Sequence, residues 1–234
     1  MKGIPSYTLL QEQFNNIVLG LKNKFIEAIR LDSEKAYEFG FKTAVADENA
    51  ILRKDTANEK IEINWELVDQ QAMDFATHSE LITEDYFTGT QKEAQKVFAE
   101  SFAEERSLPK VVESLRKVLN QQTWKLERLA RTNIVNASNE GRLAGYEKVA
   151  AKKLQLYERG LIKKPKPERY TLIVAFGART CDAHRELASR IPAGGLPLEK
   201  LKDLQRTIGA KHGLTLTGNS LLHTNQRTVI ARVV

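Results

Sequence analysis

Cys181 is the chain's only cysteine, so no intramolecular disulfide can form and the fold must hold without one. That suits folding in a reducing compartment. Aromatic residues are scarce: nine Phe, six Tyr and two Trp among 234 residues, so the core has to be largely aliphatic. No stretch reaches the roughly 20 apolar residues of a membrane span. The opening MKGIPSYTLL has neither the continuous apolar core nor the small-residue cleavage site of a secretory leader. A soluble protein made in the cytoplasm, with no membrane partner, is the expectation. Several catalytic signatures are missing too: no phosphate-binding loop, no dinucleotide glycine fingerprint, no zinc-protease motif. Gly194-Gly195 lacks the Lys-Ser or Lys-Thr that would open a helix behind a phosphate loop. Glu127 and Glu140 stand thirteen residues apart on one expected helix, about 20 Å by helical rise, too far to share a nuclease metal.

What is present is charge, unevenly placed. Formal net charge is +6, and 12 of the 36 basic but only 5 of the 30 acidic residues fall between Asn120 and Tyr170. The rest of the chain is close to neutral. A localised basic excess favours a polyanion through counterion release; a solvated helix face followed by a lysine-rich loop is the plainer alternative.

The 41% apolar residues are patterned mainly for helices. Leu10, Phe14, Ile17, Leu21, Phe25 and Ile29 step by three or four through an amphipathic helix over Tyr7 to Leu31. Asp32-Ser33 reads as a polar break before a second helix, Ser33 to Glu48, with Tyr37, Phe41, Ala44 and Val45 inward and Gly40 permitting close packing. The two suit an antiparallel hairpin over 1–48, docking on a partner; a coiled-coil contact with another chain competes. Asp47 to Ile63 is charged and aperiodic, which places a linker at 49–63. Asn64 is the expected cap of a helix from Trp65 to Ile82. Thr90 and Glu93 suggest a capping box for a helix ending near Glu105, and Ser107-Leu108-Pro109 opens another over Lys110 to Leu119. Thr123 then caps a long central helix, Trp124 to Val149. The prolines of Lys163-Lys164-Pro165-Lys166-Pro167 end the helical part.

Residues 170–176 are β-branched and apolar, hence a strand. A short helix from a Thr180 cap to Arg190, a loop at 192–197, a helix over Leu198 to Ile208 and strands at Leu214–Thr217 and Thr228–Val233 follow. The last strand is expected to pair with 170–176. The fold class is therefore α+β: a helical bundle with one long central helix over the first two-thirds, then a small sheet with short helices. One domain spans 64–234, with 64–160 as bundle and 170–234 as the α/β portion.

The central helix carries an unusual polar stripe, with Arg128, Arg131, Thr132, Asn133, Asn136, Asn139, Glu140 and Arg142 between its apolar positions. Asn is a poor helix former, so propensity did not choose it. Asn133, Asn136 and Asn139 are candidates for holding this helix to the small sheet. Ala130-Arg131-Thr132 followed by Asn139-Glu140-Gly141-Arg142-Leu143 resembles the central helix of the phage Mu protein F family, the minor head or head morphogenesis proteins of tailed bacteriophages. A second block agrees in order and spacing: Ala178-Arg179-Thr180-Cys181, then His223, Asn225 and Arg227 before a closing apolar strand. The resemblance covers about Asn64 to Val234. In the family, an Arg-Thr-Cys-x-x-Cys motif is followed by His-Pro-x-Cys-Arg-Cys. Here His184 replaces the second cysteine, Thr224 the proline, and Gln226 and Thr228 the last two cysteines.

The resemblance implies a non-enzymatic protein of the virion, inside the phage head near the portal. Portal protein, major capsid or scaffold protein and double-stranded DNA would be its partners, in head assembly and in genome packaging or delivery. Thr132, Asn139, Gly141, Arg179, Thr180, Cys181, His223 and Arg227 are the motif positions. On charge and position, Arg128, Arg131, Arg142, Lys152, Lys153, Lys163, Lys164 and Lys166 are the candidates for DNA contact. Cys181, His184 and His223 make three metal ligands at most, and a structural zinc site wants four, so no zinc or other cofactor is expected. Two alternatives remain open: a metal-dependent or Cys-based enzyme, and a cellular helical protein that binds DNA without sequence preference.

Overall fold

The computed structural model describes residues 4–55, 65–104, 106–174, 180–214, 216–217, 220–221 and 228–233. Three helices dominate it: α1 (Ile4–Asp55), α2 (Trp65–Ala103) and α3 (Leu108–Glu158). At 52 residues, α1 extends about 78 Å. Facing rings give the directions. Phe14 meets Phe98, Phe25 meets Phe87, and Tyr37 meets Phe75, at centroid separations of 6.0 to 6.3 Å. Residue numbers rise along α1 as they fall along α2, so the two are antiparallel. Between α1 and α3, Tyr37 lies against Gly141, Ala44 against Gly145, and Glu48 is bonded to Lys153, so those two run parallel.

The expected hairpin over 1–48 is absent, because Asp32 and Ser33 do not break the helix. Ser33 is an inward-facing, fully buried residue of an unbroken α1. Asp and Ser cost a helix interior only a few tenths of a kcal/mol each, less than long-range packing returns. Of the expected linker at 49–63, residues 49–55 belong to α1, and 56–63 lie outside the described residues. Asn64 lies outside the described residues. Two further breaks are also absent. Thr90 and Thr123 cap nothing; their hydroxyls donate to the carbonyls of Tyr86 (3.2 Å) and Leu119 (3.0 Å) within continuous helices. Ser107 does stand at the N-cap of α3 with Pro109 in its first turn. The far end of α3 closes on Gly160, at φ 71°, with Gly160 N–H donating to Tyr157 O (2.8 Å) and Leu161 N–H to Leu156 O (2.9 Å). That is the paired bonding of a glycine-terminated helix.

The C-terminal part builds a small lobe on the last third of α3. Strands β1 (Arg169–Val174) and β4 (Thr228–Val233) pair antiparallel, from Arg169 opposite Val233 to Val174 opposite Thr228, as the sequence leads one to expect. Helices α4 (Asp182–Arg190) and α5 (Leu198–Lys211) and a short pair, β2 (Leu216–Thr217) with β3 (Ser220–Leu221), complete it. The fold is α+β and predominantly helical. Leu172, Leu187, Leu201, Ile208 and Ile230 of the lobe close one apolar core with Leu143 and Tyr146 of α3 and Ala44 of α1. Two further cores lie inside the three-helix bundle.

Candidate nucleic-acid interface

The basic residues between Asn120 and Tyr170 divide into several environments. Lys163, Lys164 and Lys166 are exposed in the segment between α3 and β1, and no described carboxylate pairs with them. Two prolines there fix φ and remove amide donors, so the lysines project from a stretch with little competing structure. Arg131 is exposed and Lys152 half-buried. Arg128 is half-buried and stacks over the exposed Trp124, its guanidinium carbon 4.3 Å from the ring centroid. Such a contact holds a cation flat on an aromatic face at the surface. Arg142 is half-buried and hydrogen-bonds to the Tyr146 side chain, so it offers little to an outside ligand.

Lys153 has to be removed from the DNA candidates. It is 6% exposed, and its ammonium donates to Glu48 Oε2 and Glu168 Oε1, each at 2.5 Å. Arg232 of β4 joins the same carboxylates, on Glu48 and at 3.8 Å from Glu168. Tyr170 donates its hydroxyl to Glu168 Oε2 at 2.6 Å. Burial, then that bond and the Glu168 charge, push the Tyr170 pKa up. Two carboxylates and two cations thus balance at the junction of α1, α3, β1 and β4. Sequence reasoning missed this cluster, although it left a trace: Glu48 continues the inward stripe of Phe41 and Val45, and Lys153 that of Val149 and Leu156. A charge at a core position of a helix calls for an opposite partner.

The motif positions among the described residues make contacts within the fold. Thr132 is buried and donates to Arg128 O at 2.8 Å. Asn139 Oδ1 accepts from the backbone N–H of Ile230 in β4 at 3.3 Å, tying α3 to the sheet. Asn133 and Asn136 do not share that role: both are fully buried, and among the described residues neither amide group has a hydrogen-bond partner. Gly141 sits where a Cβ would overlap the Tyr37 carbonyl. The carbonyl of Thr180 accepts from Arg185 Nε at 3.1 Å. Cys181, not Thr180, stands at the N-cap of α4, with Sγ 3.0 Å from Nδ1 of the buried His184. Arg179, His223 and Arg227 lie outside the described residues. Among the described residues no group of three or more His, Cys, Asp or Glu is placed to hold a metal ion.

Glu186 joins the two lobe helices. It accepts from Lys211 Nζ and His212 Nε2, both at 2.8 Å, and pairs with Arg190 at 2.5 Å. The Lys211 bond and then the His212 bond hold its pKa down at about 2. Lys202 of α5 reaches α3 through Glu147, and burial lowers its pKa.

None of the described helices is long and apolar enough to cross a membrane. Compared with models of known protein families, with curated proteins and with solved structures, the chain matches none.

Proposed function

We propose that this chain is a minor head protein of a tailed bacteriophage, acting by binding rather than catalysis. On this reading it docks on portal and on capsid or scaffold protein inside the head, and its exposed cations meet the packaged DNA during assembly, packaging or delivery. Two sequence blocks support the family reading: Ala130 to Leu143, and Ala178 to the closing strand. The observation that carries the DNA contact is the exposed trio Lys163, Lys164 and Lys166, in a proline-bearing loop where no described carboxylate pairs with them, with Arg131 and Lys152 as further accessible cations. Contacts of this kind go to phosphates and read no sequence.

The test is a salt titration of affinity for double-stranded DNA of arbitrary sequence. Each neutralised phosphate adds about −0.9 to the log–log slope. Replacing Lys163, Lys164 and Lys166 together with Ala is expected to flatten the slope by about two to three, with thermal stability nearly unchanged. An unchanged slope removes the DNA half of the reading. Failure to co-purify with portal protein from assembled heads removes the other half.

A further inference from the structure

The interior of the three-helix bundle is interrupted. One apolar cluster includes Phe14, Phe87, Phe98 and Leu115; the other includes Tyr37, Phe75, Ala137 and Val149. Between them each helix turns a polar residue inward. Ser33 of α1 precedes Tyr37 by one turn, Asn133 and Asn136 of α3 precede Ala137 by one turn and by one residue, and Thr83 of α2 lies between Phe87 and Phe75. Because α1 and α3 run parallel with Tyr37 level with Gly141, Ser33 falls level with Ala137 and its asparagine neighbours. All four polar residues are 0% exposed. Among the described residues, Ser33 Oγ and the amide oxygens and nitrogens of Asn133 and Asn136 have no hydrogen-bond partner. Among the described residues, α3 has no buried hydrophobic residue between Leu115 and Ala137, and α1 has only Ile29 between Val18 and Tyr37.

We propose that this layer is a joint. The distal arm comprises α1 to about residue 30, α2 from about residue 84 and α3 to about residue 130. It opens as a unit while the proximal half stays closed. Two asymmetries drive this. Opening at the layer returns five unsatisfied polar atoms to water, so the joint loses little when it parts. The proximal half is pinned far more firmly. There the α1 and α3 backbones touch at Gly40, Gly141 and Gly145, and the Glu48–Lys153–Glu168–Arg232 cluster ties in the lobe. Across the distal helices, the described cross-helix ion pair is a part-exposed one, Lys22 with Glu84 at 3.0 Å. Such pairs add little.

Hydrogen exchange on the full-length protein, read by mass spectrometry, tests this directly. Backbone amides over 14–28, 87–100 and 111–128 are expected to exchange about tenfold or more faster than those over 37–50 and 137–153, with a weaker denaturant dependence. Replacing Asn133 and Asn136 with Leu should join the two apolar clusters and slow exchange in the arm toward the proximal rate. A single exchange rate for both halves of the wild-type bundle overturns the proposal. So does a double variant whose arm exchanges as fast as that of the wild type. Should the double variant fail to fold, the wild-type comparison decides alone.

Discussion

The carbonyl oxygen of Tyr37 occupies the space that a side chain on Gly141 would need, and one turn on, a Cβ on Gly145 would stand 2.8 Å from that of Ala44. With Gly40 pressed against the Ser138 carbonyl from the other side, α1 and α3 approach backbone to backbone. Gly141→Ala is therefore expected to force two rigid backbones apart rather than displace a flexible side chain. The expected cost is about 1–3 kcal/mol, read by chemical denaturation. Gly89, which has nothing near it, should instead gain from the same change, by up to about 1 kcal/mol.

Lys153→Ala should be among the most damaging single changes. It leaves Glu48, 0% exposed, with Arg232 as its remaining cation and one carboxylate oxygen already without a partner. Breaking a buried ion pair by removing one side costs about 3–5 kcal/mol. The same variant should leave the salt dependence of DNA affinity unchanged, since that ammonium faces inward. A flattened slope together with intact stability would show that Lys153 reaches outward.

Much of this architecture was legible in the sequence, because periodicity registers burial. The strand expected at 170–176, described as far as Val174, its pairing with the final strand, the helix from Leu198 and the start of α3 at Ser107 all follow from local patterns. Helix continuity did not. Asp32-Ser33, Thr90 and Thr123 look like punctuation, yet each lies within a long helix whose packing outweighs a few tenths of a kcal/mol of propensity. The site was legible as composition only. Lys163, Lys164 and Lys166 stay exposed as their loop suggests. Lys153 looks identical to Lys152 in sequence, and only its position below Val149 separates a core charge from a surface one. Its partners, Glu48, Glu168 and Arg232, come from sequence-distant elements that no local pattern joins.

The hold of α4 on α5 should depend on acid. Glu186 has its pKa lowered from 4.5 to about 2 by its bonds to Lys211 and His212. A carboxyl with a depressed folded pKa contributes stability above its unfolded value, and that contribution is lost as pH falls from about 4.5 toward 2. Thermal melts over that range should show a component of acid destabilisation that Glu186→Gln removes. Identical pH profiles for the two proteins would show that the cluster contributes nothing to lobe stability.

Residues 1–48 read from sequence as a separable docking hairpin, whose removal should leave the rest folded. The structure argues for the opposite outcome. Phe14 and Val18 close the distal core, Tyr37, Phe41 and Val45 the proximal one, and Ala44 enters the core shared with the lobe. Glu48, the last residue removed, is the buried anion for both Lys153 and Arg232. Burying a large apolar side chain is worth about 1.5–3 kcal/mol, so losing even these few is comparable to the whole stability of a typical domain. Deleting 1–48 is therefore expected to abolish cooperative unfolding and the near-ultraviolet dichroism of the tyrosines. Deleting only 1–12 removes none of these contacts and should leave the melting midpoint within a few degrees of the full chain. A truncated 49–234 protein that melts cooperatively would show that α2, α3 and the lobe form a core of their own.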